Sequence, residues 1–417
     1  MSGGARGITP GRLAVLLVLA LAVAITATLL ATRSGDDPPG DGRLADGRPA
    51  DGSTPTAGPT PPGAPYAYTT EKELVLMRGE RRLARVPRVF DLADAQRNTV
   101  VWTHDGRYAA FLSDDAMLDR PDDSRLISVD ASTGAVRRLP CPQCYDLAPV
   151  GDHEVFVLST EPGPTSAYRF DLDQPDGART EPDNGSYWQP YLLGATRTHV
   201  LTGDYEMSGG DPGMELRLND LSSGGITVYS RLNSNAYMPA ALTSAGGRDR
   251  IAVAARNNPG GCAAPFPIHP LGLSGQIGGT YQDAALPPGF VAGVTGGIDV
   301  QDLWWGPDHH LYASISAWTC EDSERAENDQ KRPHRPATLF RLDGERWVSA
   351  GGQPATMVRP TGPDTRAVLV IPDCNGPVKA QDRITYCNAG VLFRERDGKR
   401  TKITGGVLSL SAPPSAS

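Results

Sequence analysis

Two cysteines separated by two residues, Cys141 and Cys144, form the local motif with the clearest chemistry, in the sequence "CPQC". A redox C-x-x-C motif normally begins a helix whose N-terminus lowers the thiol pKa, whereas this pair follows a strand pattern. A zinc site would require a second C-x-x-C or C-x-x-H pair, and the sequence contains none. We therefore predict a structural disulfide at this motif.

The other motifs that could carry chemistry are weak. His309 and His310 could suggest a metal, but their sequence predicts a solvated tight turn. The segment "DLDQPDG" (171–177) resembles a calcium loop, but its third Asp comes one position late, in a predicted hairpin turn. There is no G-x-S-x-G, H-E-x-x-H or S-x-x-K sequence and no glycine-rich phosphate loop. We predict no catalytic, cofactor-binding or metal-binding residue.

The strands and turns that would position a functional site follow a repeated sequence pattern. The sequences "WTHDGRYAAFLS" (102–113) and "WWGPDHHLYASIS" (304–316) both place a Trp three residues before an Asp, followed by alternating apolar positions. Turn signals followed by strand patterns begin at 104, 151, 195, 246, 307 and 363, roughly 44 to 60 residues apart. A second apolar stretch, usually with its own turn, follows each of them. The repeat predicts a unit of four short antiparallel strands.

Four antiparallel strands in about fifty residues make one blade of a β-propeller. The W-x-x-D unit and the hairpin "VDASTGAVRRL" (129–139) resemble the repeats of TolB-type and WD40-like propellers. The sequence departs from these repeats in keeping only Trp102 and Trp305 and in having no WD dipeptide. The resemblance implies an all-β propeller over residues 66–412 and implies little about activity.

The ends of this region bear on the number of blades. The segment "KELVLMRGERRLARVP" (72–87) predicts the outer half of a blade, and "GVLSLS" (406–411) predicts a single strand. Pairing the two would close the ring with a seventh blade and would remove its open sheet edges. We expect seven blades, with six as the alternative.

The even number of cysteines in a chain that is predicted to be exported indicates disulfides. Sequence spacing alone allows many pairings, but the repeat register narrows them. It places one pair between successive blades and two pairs locally, all on one face of the propeller. The predicted bridges are Cys262–Cys320, Cys374–Cys387 and Cys141–Cys144.

The loops between the second and third strands of the repeats are the long ones, at 114–123, 203–213, 256–267 and 321–335. We call the face that carries them the long-loop face. Variable loops on a rigid scaffold are where propellers usually bind their ligands. The acidic and aromatic residues there are either candidate binding groups for a cationic or sugar ligand or solvating charges. The candidate binding residues are Asp114, Asp115, Asp119, Tyr205, Glu206, Glu321 and Asp322.

The N-terminal segment predicts the compartment. Residues 13–31 are uncharged and predominantly apolar, and as a helix they would span roughly 28 Å, close to the thickness of a bilayer core. Because Arg6 and Arg12 precede this segment, we predict a transmembrane signal-anchor helix with residues 1–12 in the cytoplasm and the rest outside the cell membrane. The alternative is a secreted protein, released by signal cleavage near Ala22-Val23-Ala24.

Residues 34–65 are rich in Pro, Gly and Asp and predict a disordered linker, and residues 413–417 predict a disordered tail. Arg greatly outnumbers Lys, which is typical of a GC-rich bacterial genome. No stripe of basic residues with interleaved aromatics occurs, so a nucleic-acid partner is not expected. We predict a membrane-tethered module that binds or scaffolds a protein or cell-envelope component and needs no cofactor. The alternative is an enzyme that acts on an envelope glycan with a site assembled from several blades.

Overall fold

The computed structural model describes residues 63–87, 100–112, 125–159, 166–174, 178–180, 191–206, 213–229, 232, 239–245, 248–255, 267–279, 291, 293–320, 331–372 and 389–414. These residues form strands and turns and contain no helix. None of them therefore belongs to a helix that is long and apolar enough to cross a membrane. The predicted anchor at 13–31 and nearly all of the predicted linker at 34–65 lie outside the described residues.

Three consecutive sheets follow one another from residue 101, and each contains four antiparallel strands in chain order. Sheet 1 contains β4 (Val101–Trp102), β5 (Tyr108–Leu112), β6 (Arg125–Asp130) and β7 (Val136–Pro140). Sheet 2 contains β8 (Cys144–Val150), β9 (Glu154–Ser159), β10 (Ser166–Asp171) and β11 (Ala178–Thr180). Sheet 3 contains β12 (Tyr191–Ala195), β13 (His199–Glu206), β14 (Gly213–Asp220) and β15 (Ile226–Val228).

Two further sheets continue this order, and a sixth sheet joins the two ends of the described chain. Sheet 4 contains β16 (Ala240–Ala245), β17 (Arg248–Ala254) and β18 (Ile268–Leu271). Sheet 5 contains β19 (Gly296–Trp305), β20 (Leu311–Cys320), β21 (Lys331–Asp343) and β22 (Arg346–Pro354). Sheet 6 has the strand order β23-β24-β25-β26-β1-β2-β3. Its strands are β23 (Met357–Gly362), β24 (Thr365–Val370), β25 (Gly390–Arg396), β26 (Lys399–Ser411), β1 (Pro65–Thr70), β2 (Glu73–Arg78) and β3 (Arg81–Pro87).

The repeated W-x-x-D unit is the end of a first strand and the turn after it. Trp102 ends β4 and Trp305 ends β19. The indole Nε1 of Trp102 donates to Ser411 Oγ over 3.1 Å, and that of Trp305 donates to the Ala241 carbonyl over 3.2 Å. Ser411 lies on β26 of sheet 6, and Ala241 lies on β16, the first strand of sheet 4, so each acceptor belongs to a different sheet from the Trp. The Trp of this motif therefore joins its own sheet to another sheet.

The Asp of the same unit shapes the turn. Asp105 Oδ1 accepts the backbone N–H of Arg107 at 3.0 Å, and Asp308 Oδ1 accepts that of His310 at 3.3 Å. An Asp side chain that bonds the backbone two residues ahead closes an Asx turn. In both copies of the motif, therefore, the Trp bonds a neighbouring sheet and the Asp closes the turn.

β26 connects the two parts of sheet 6. Its first half pairs with β25, and its second half pairs with β1 through Thr69↔Ser409 and Thr70↔Val407. Gly406, between the two halves, has a φ of 71°, which a residue with a Cβ rarely adopts. The expected pairing of the C-terminal strand with the N-terminal strands is therefore present. β1 is an additional strand that precedes the hairpin predicted at 72–87.

Apolar clusters lie between successive sheets. One cluster packs Val101 and Leu126 of sheet 1 against Val155 and Val157 of sheet 2, and similar clusters join sheets 2 and 3, 3 and 4, 4 and 5, and 5 and 6. Within sheet 6, side chains from the two parts pack on each other, which requires the sheet to fold over at β26. Another cluster joins β1–β3 and Leu408 to sheet 1. The all-β class is confirmed, and packed antiparallel sheets of this kind are typical of propeller blades.

Candidate functional site

The residues predicted to form a binding face lie largely outside the described part of the chain. Asp114, Asp115, Asp119, Glu321 and Asp322 are not among the described residues. Tyr205 and Glu206 are the last two residues of β13, at the end that leads into one of the long loops. The binding function of these residues stays a prediction.

The predicted local bridge Cys141–Cys144 is present, and its two half-cystines are buried. It lies between β7 and β8, at the crossing from one sheet to the next. Cys320, at the end of β20, is also disulfide-bonded. Since Cys141 and Cys144 bond each other, the partner of Cys320 lies outside the described residues. The pairings Cys262–Cys320 and Cys374–Cys387 stay predictions.

A large cavity opens on the face that carries the turns between first and second strands. We call this face the turn face, defined by residues 103–107, 151–153, 196–198, 306–310 and 363–364. The cavity, which we call the main cavity, has a volume of about 1130 Å³. Its polar and aromatic walls come from several sheets: Arg78, His104, Asp105, Arg197, Trp304, Asp308, Tyr312, Asp364, Arg366, Glu395 and Asp397.

A second cavity of about 300 Å³ shares His104, Trp304, Gly306 and Pro413 with the main cavity. We call it the channel cavity because first strands from several sheets line it. The strand residues on its walls include Val101, Pro149, Ala195, Ala241, Leu303, Arg359 and Ser411. Pro413 and Pro414 line both cavities, so the segment after β26 lies where the cavities adjoin.

His104 lies where the two cavities adjoin. Burial lowers the pKa of its imidazole below the usual value, and the charge of Arg197 acts in the same direction. The ring is therefore neutral at pH 7. Its Nε2 is buried and has no hydrogen-bond partner among the described residues. The neutral ring adds no charge to the cavity wall.

A stacked aromatic pair forms another wall of the main cavity. The rings of Trp304 and Tyr312 lie 5.6 Å apart between centroids and are nearly parallel, at 16°. The guanidinium of Arg359 lies 5.1 Å from the centroid of Trp304, and Asp302 holds that guanidinium through two hydrogen bonds. Burial, with a hydrogen bond to Asp308, raises the pKa of Tyr312 to about 12. Aromatic faces held in this way provide rigid contact area for a ligand.

Polar contacts between neighbouring turns hold the turn face together. Arg197 Nε lies 2.9 Å from Asp152 Oδ1, which joins the turns of sheets 3 and 2. Asp249, at the start of sheet 4's second strand, accepts hydrogen bonds from Thr196 Oγ1 and Ser244 Oγ and lies 2.7 Å from His199 Nδ1. Because Ser244 contacts the carboxylate rather than the imidazole, this cluster is a junction between sheets and lacks the order of a Ser-His-Asp triad.

The described residues contain no group of three or more His, Cys, Asp or Glu side chains that could hold a metal ion. What the main cavity offers is an aromatic face, guanidinium groups, and the exposed carboxylates of Asp364 and Asp397 on its rim. These groups are suited to binding a ligand by stacking, hydrogen bonding and charge.

Comparisons with known proteins show no family for this chain. No protein-family model matches the chain, and no curated protein matches it in sequence. The β-propeller domain of the Trilobed protease from Pyrococcus furiosus is 12% identical, with a TM-score of 0.46, over 82% of this chain and 93% of that one. A Mycobacterium tuberculosis puromycin-hydrolysing peptidase is 14% identical, with a TM-score of 0.47, over 81% of this chain and 49% of that one.

The acylaminoacyl peptidase of Pyrococcus horikoshii is 10% identical, with a TM-score of 0.45, over 80% of this chain and 48% of that one. The chain therefore spans about half the length of these two peptidases. These likenesses concern the fold alone.

Sequence reasoning pointed to the long-loop face and missed the turn face. The short turns there carry few residues, so none of them alone signals a site. One signal was available in "FRERDGKR" (393–400), where the turn residues Asp397 and Gly398 both have positive φ. A two-residue turn of this kind places Glu395 opposite Arg400, as observed.

Proposed function

We propose that the chain is a membrane-tethered extracytoplasmic β-propeller, of the TolB-type or WD40-like kind, that binds or scaffolds a protein or cell-envelope component. We further propose that the partner contacts the main cavity on the turn face. The observation that carries this proposal is the cavity itself. Its volume of about 1130 Å³ slightly exceeds the usual range of about 300 to 1,000 Å³ for ligand sites, and several sheets contribute to its walls.

The proposed ring has seven blades, with six as the alternative. What supports seven is the packing of apolar clusters between each sheet and the next, with sheet 6 contributing two layers that pack on each other. In this interpretation β23–β25 and the first half of β26 form one blade, and the second half of β26 with β1–β3 forms another. First-strand residues of these two blades, Arg359 and Ser411, both line the channel cavity.

The position of the chain's first described residues bears on how a tethered domain would be oriented. Ala64 and Pro65, the last two residues of the predicted linker, line the main cavity. The backbone N–H of Ala64 donates to the Thr361 carbonyl at 2.8 Å, so this entry point is attached to the turn between β23 and β24. The described chain therefore begins beside the main cavity.

Site-specific photo-crosslinking in the native membrane tests the proposal with the full-length chain. A photoreactive residue at Asp364 lies on the rim of the main cavity, in an exposed turn. Glu345 offers a matched control, since it lies in an exposed turn of the neighbouring sheet 5 and does not line the cavity. We expect a discrete crosslinked species from position 364 that is absent from position 345.

A third photoreactive position at Glu321 tests the prediction for the long-loop face. Crosslinking from Glu321 without crosslinking from Asp364 would overturn the assignment of the partner to the main cavity. Identical products from positions 364 and 345 would also overturn it, because they would show non-specific contact. The alternative enzyme hypothesis predicts a different result, in which the full-length protein hydrolyses an envelope glycan and a cavity-lining substitution abolishes the activity.

A further inference from the structure

A small side pocket of about 180 Å³ opens beside the main cavity, between sheets 5 and 6. Arg366 and Glu395 line both spaces, so the side pocket adjoins the main cavity. Its remaining walls include the apolar side chains of Leu339, Ala355 and Val358 and the glycines Gly351, Gly352 and Gly398. The side-chain amide of Gln353 donates to the Gly398 carbonyl at 3.3 Å and links two of these walls.

Three charged side chains form a row across this pocket. The register places Arg366 opposite Glu395 and Glu395 opposite Arg400, on three adjacent strands. Arg366 Nε donates to Glu395 Oε1 at 2.8 Å, and Arg400 Nε donates to Glu395 Oε2 at 2.7 Å. Each carboxylate oxygen therefore has its own guanidinium.

The row carries an excess positive charge. Glu395 is only 4% exposed. Although burial raises the pKa of its carboxyl group, the hydrogen bonds and charges of Arg400 and Arg366 outweigh that effect and lower the pKa below its usual value. Glu395 is therefore ionised at neutral pH and offsets only one of the two guanidinium charges. One positive charge is left over beside the pocket. The side chains of Arg366 and Arg400 are 33% and 13% exposed, so water screens this charge only in part and an anion would stabilise it.

Both arginines keep a hydrogen-bond donor for a ligand. Arg366 donates its Nε and Nη2 to Glu395. Arg400 donates its Nε to Glu395 and its Nη1 to the Pro354 carbonyl. Among the described residues, Arg366 Nη1 and Arg400 Nη2 have no partner, and neither is a buried atom. Guanidinium groups with free N–H donors bind carboxylates and phosphates strongly.

We infer that the side pocket binds a carboxylate group of the ligand that occupies the main cavity. This inference rests on the proposed binding function and adds the chemical class of the ligand. A monoanion matches the single excess positive charge, whereas a phosphate dianion would exceed it and would also meet the exposed carboxylates of Asp364 and Asp397 on the rim. Such a carboxylate could come from a peptide C-terminus or from an acidic sugar.

Calorimetric titration of the full-length protein in detergent micelles distinguishes these sources. The probes are acetyl-trialanine with a free C-terminal carboxylate, its C-terminal amide, glucuronic acid, glucose and inorganic phosphate. We expect one free carboxylate to bind and its neutral counterpart to give no signal. Binding of acetyl-trialanine but not its amide would identify a peptide C-terminus as the source of the carboxylate. Binding of glucuronic acid but not glucose would identify an acidic sugar. Equal binding of a carboxylate and its neutral counterpart, or phosphate binding as tight as the carboxylate, would overturn the inference.

Two variants separate binding from structural support. Arg366→Gln removes a donor and the excess charge, so the carboxylate probe should bind about tenfold more weakly. Glu395→Gln leaves both guanidinium charges uncompensated, so the same probe should bind about tenfold more tightly. A purely structural role for the row predicts weaker binding for both variants. Arg248→Gln is the matched control, because it removes the same charge from the exposed start of β17 and should change nothing.

The two proposals fail differently. If Asp364 crosslinks a partner and no carboxylate probe binds, the side-pocket inference is wrong and the proposed function stands. If a carboxylate probe binds more weakly to Arg366→Gln and more tightly to Glu395→Gln, and position 364 crosslinks nothing, the proposed macromolecular partner is wrong and the anion site stands.

Discussion

Individual charged residues on the turn face act mainly by joining one sheet to the next. His153, in the turn of sheet 2, illustrates how such a contact responds to pH. Its Nδ1 lies 3.3 Å from Asp105 Oδ2 and 3.8 Å from Asp173 Oδ2. Burial alone would lower the pKa of His153, but the hydrogen bond to Asp105 and the charges of Asp173, Asp105 and Asp171 raise it above 6.5.

The raised pKa of His153 predicts a pH-dependent contribution to stability. A histidine whose pKa is higher in the folded state contributes fully below its unfolded pKa of 6.5, and the contribution is lost as the pH rises through the folded value. The difference in free energy of unfolding between the wild type and His153→Gln should therefore be largest near pH 5.5 and vanish near pH 8.5. Urea unfolding of the full-length protein at both pH values measures this difference.

A control for this prediction is available in the turn of sheet 5. His309 is exposed and has a φ of 62°, which Asn also tolerates, so His309→Asn is the histidine substitution against which His153→Gln is compared at both pH values. A difference for His153→Gln that stays constant from pH 5.5 to pH 8.5 would contradict the contribution of the charged imidazole.

At the level of the elements, two hairpin turns use the same chemistry in different surroundings. Asp130 Oδ1 accepts the backbone N–H groups of Ser132 and Thr133, and Asp220 Oδ1 accepts those of Ser222 and Ser223. Each turn continues into a glycine with positive φ, Gly134 at 77° and Gly224 at 69°. The sequence therefore encodes the turn locally, as an Asp followed four residues later by a Gly.

The two glycines differ in what surrounds them, which gives a matched pair of substitutions. A Cβ at Gly134 would lie 2.5 Å from the Leu83 carbonyl oxygen of β3, whereas a Cβ at Gly224 would meet nothing within 4 Å. Gly224→Ala should lower the free energy of unfolding by about 1 to 2 kcal/mol, because the alanine must adopt the left-handed backbone conformation. Gly134→Ala should lower the free energy of unfolding by about 1 to 3 kcal/mol more than Gly224→Ala does, because β3 must move to make room for the added Cβ.

Denaturant unfolding of the two glycine variants, in the full chain, measures both effects. The contrast isolates the packing of the sheet 1 turn against sheet 6. Equal losses of stability for the two variants would show that β3 does not pack against this turn.

For the whole molecule, the contact that matters most is the one between the last and the first parts of the described chain. Leu408, on β26, is 2% exposed and packs in the cluster that joins sheet 6 to Trp102 and Phe111 of sheet 1. Trp102 also donates to Ser411 on the same strand. These contacts tie the C-terminal strand to a sheet that lies about three hundred residues earlier in the chain.

Leu408→Ala should therefore lower the free energy of unfolding by about 2 to 5 kcal/mol, because it leaves a cavity between sheets 6 and 1. Urea unfolding followed by Trp fluorescence provides the measurement in the full chain. Val348→Ala is the control, since Val348 is 37% exposed on β22, and its loss should stay within about 0.5 kcal/mol. Similar losses for the two variants would contradict the packing of β26 against sheet 1.

How much the sequence could predict differs between local and distant features. Strand alternation, the Asp-Gly turns and the W-x-x-D unit act over a few residues, so they predicted the all-β class, most hairpins and the local bridge Cys141–Cys144. Even the register of Arg400 opposite Glu395 could be read from the turn at Asp397 and Gly398. These features follow from backbone stereochemistry and short-range hydrogen bonds.

Only the tertiary structure decided which of these hairpins meet. The aromatic pair of Trp304 and Tyr312 belongs to sheet 5, the charged row to sheet 6, and His104 to the turn of sheet 1. Hairpin register can pair neighbouring residues within each sheet, but no sequence pattern brings the three sheets to one cavity. The main cavity exists because packed sheets bring short turns together, and each turn contributes one or two side chains. The lengths of the loops in the sequence point to the long-loop face. The burial of Glu395 and the excess charge beside it arise only when the sheets pack.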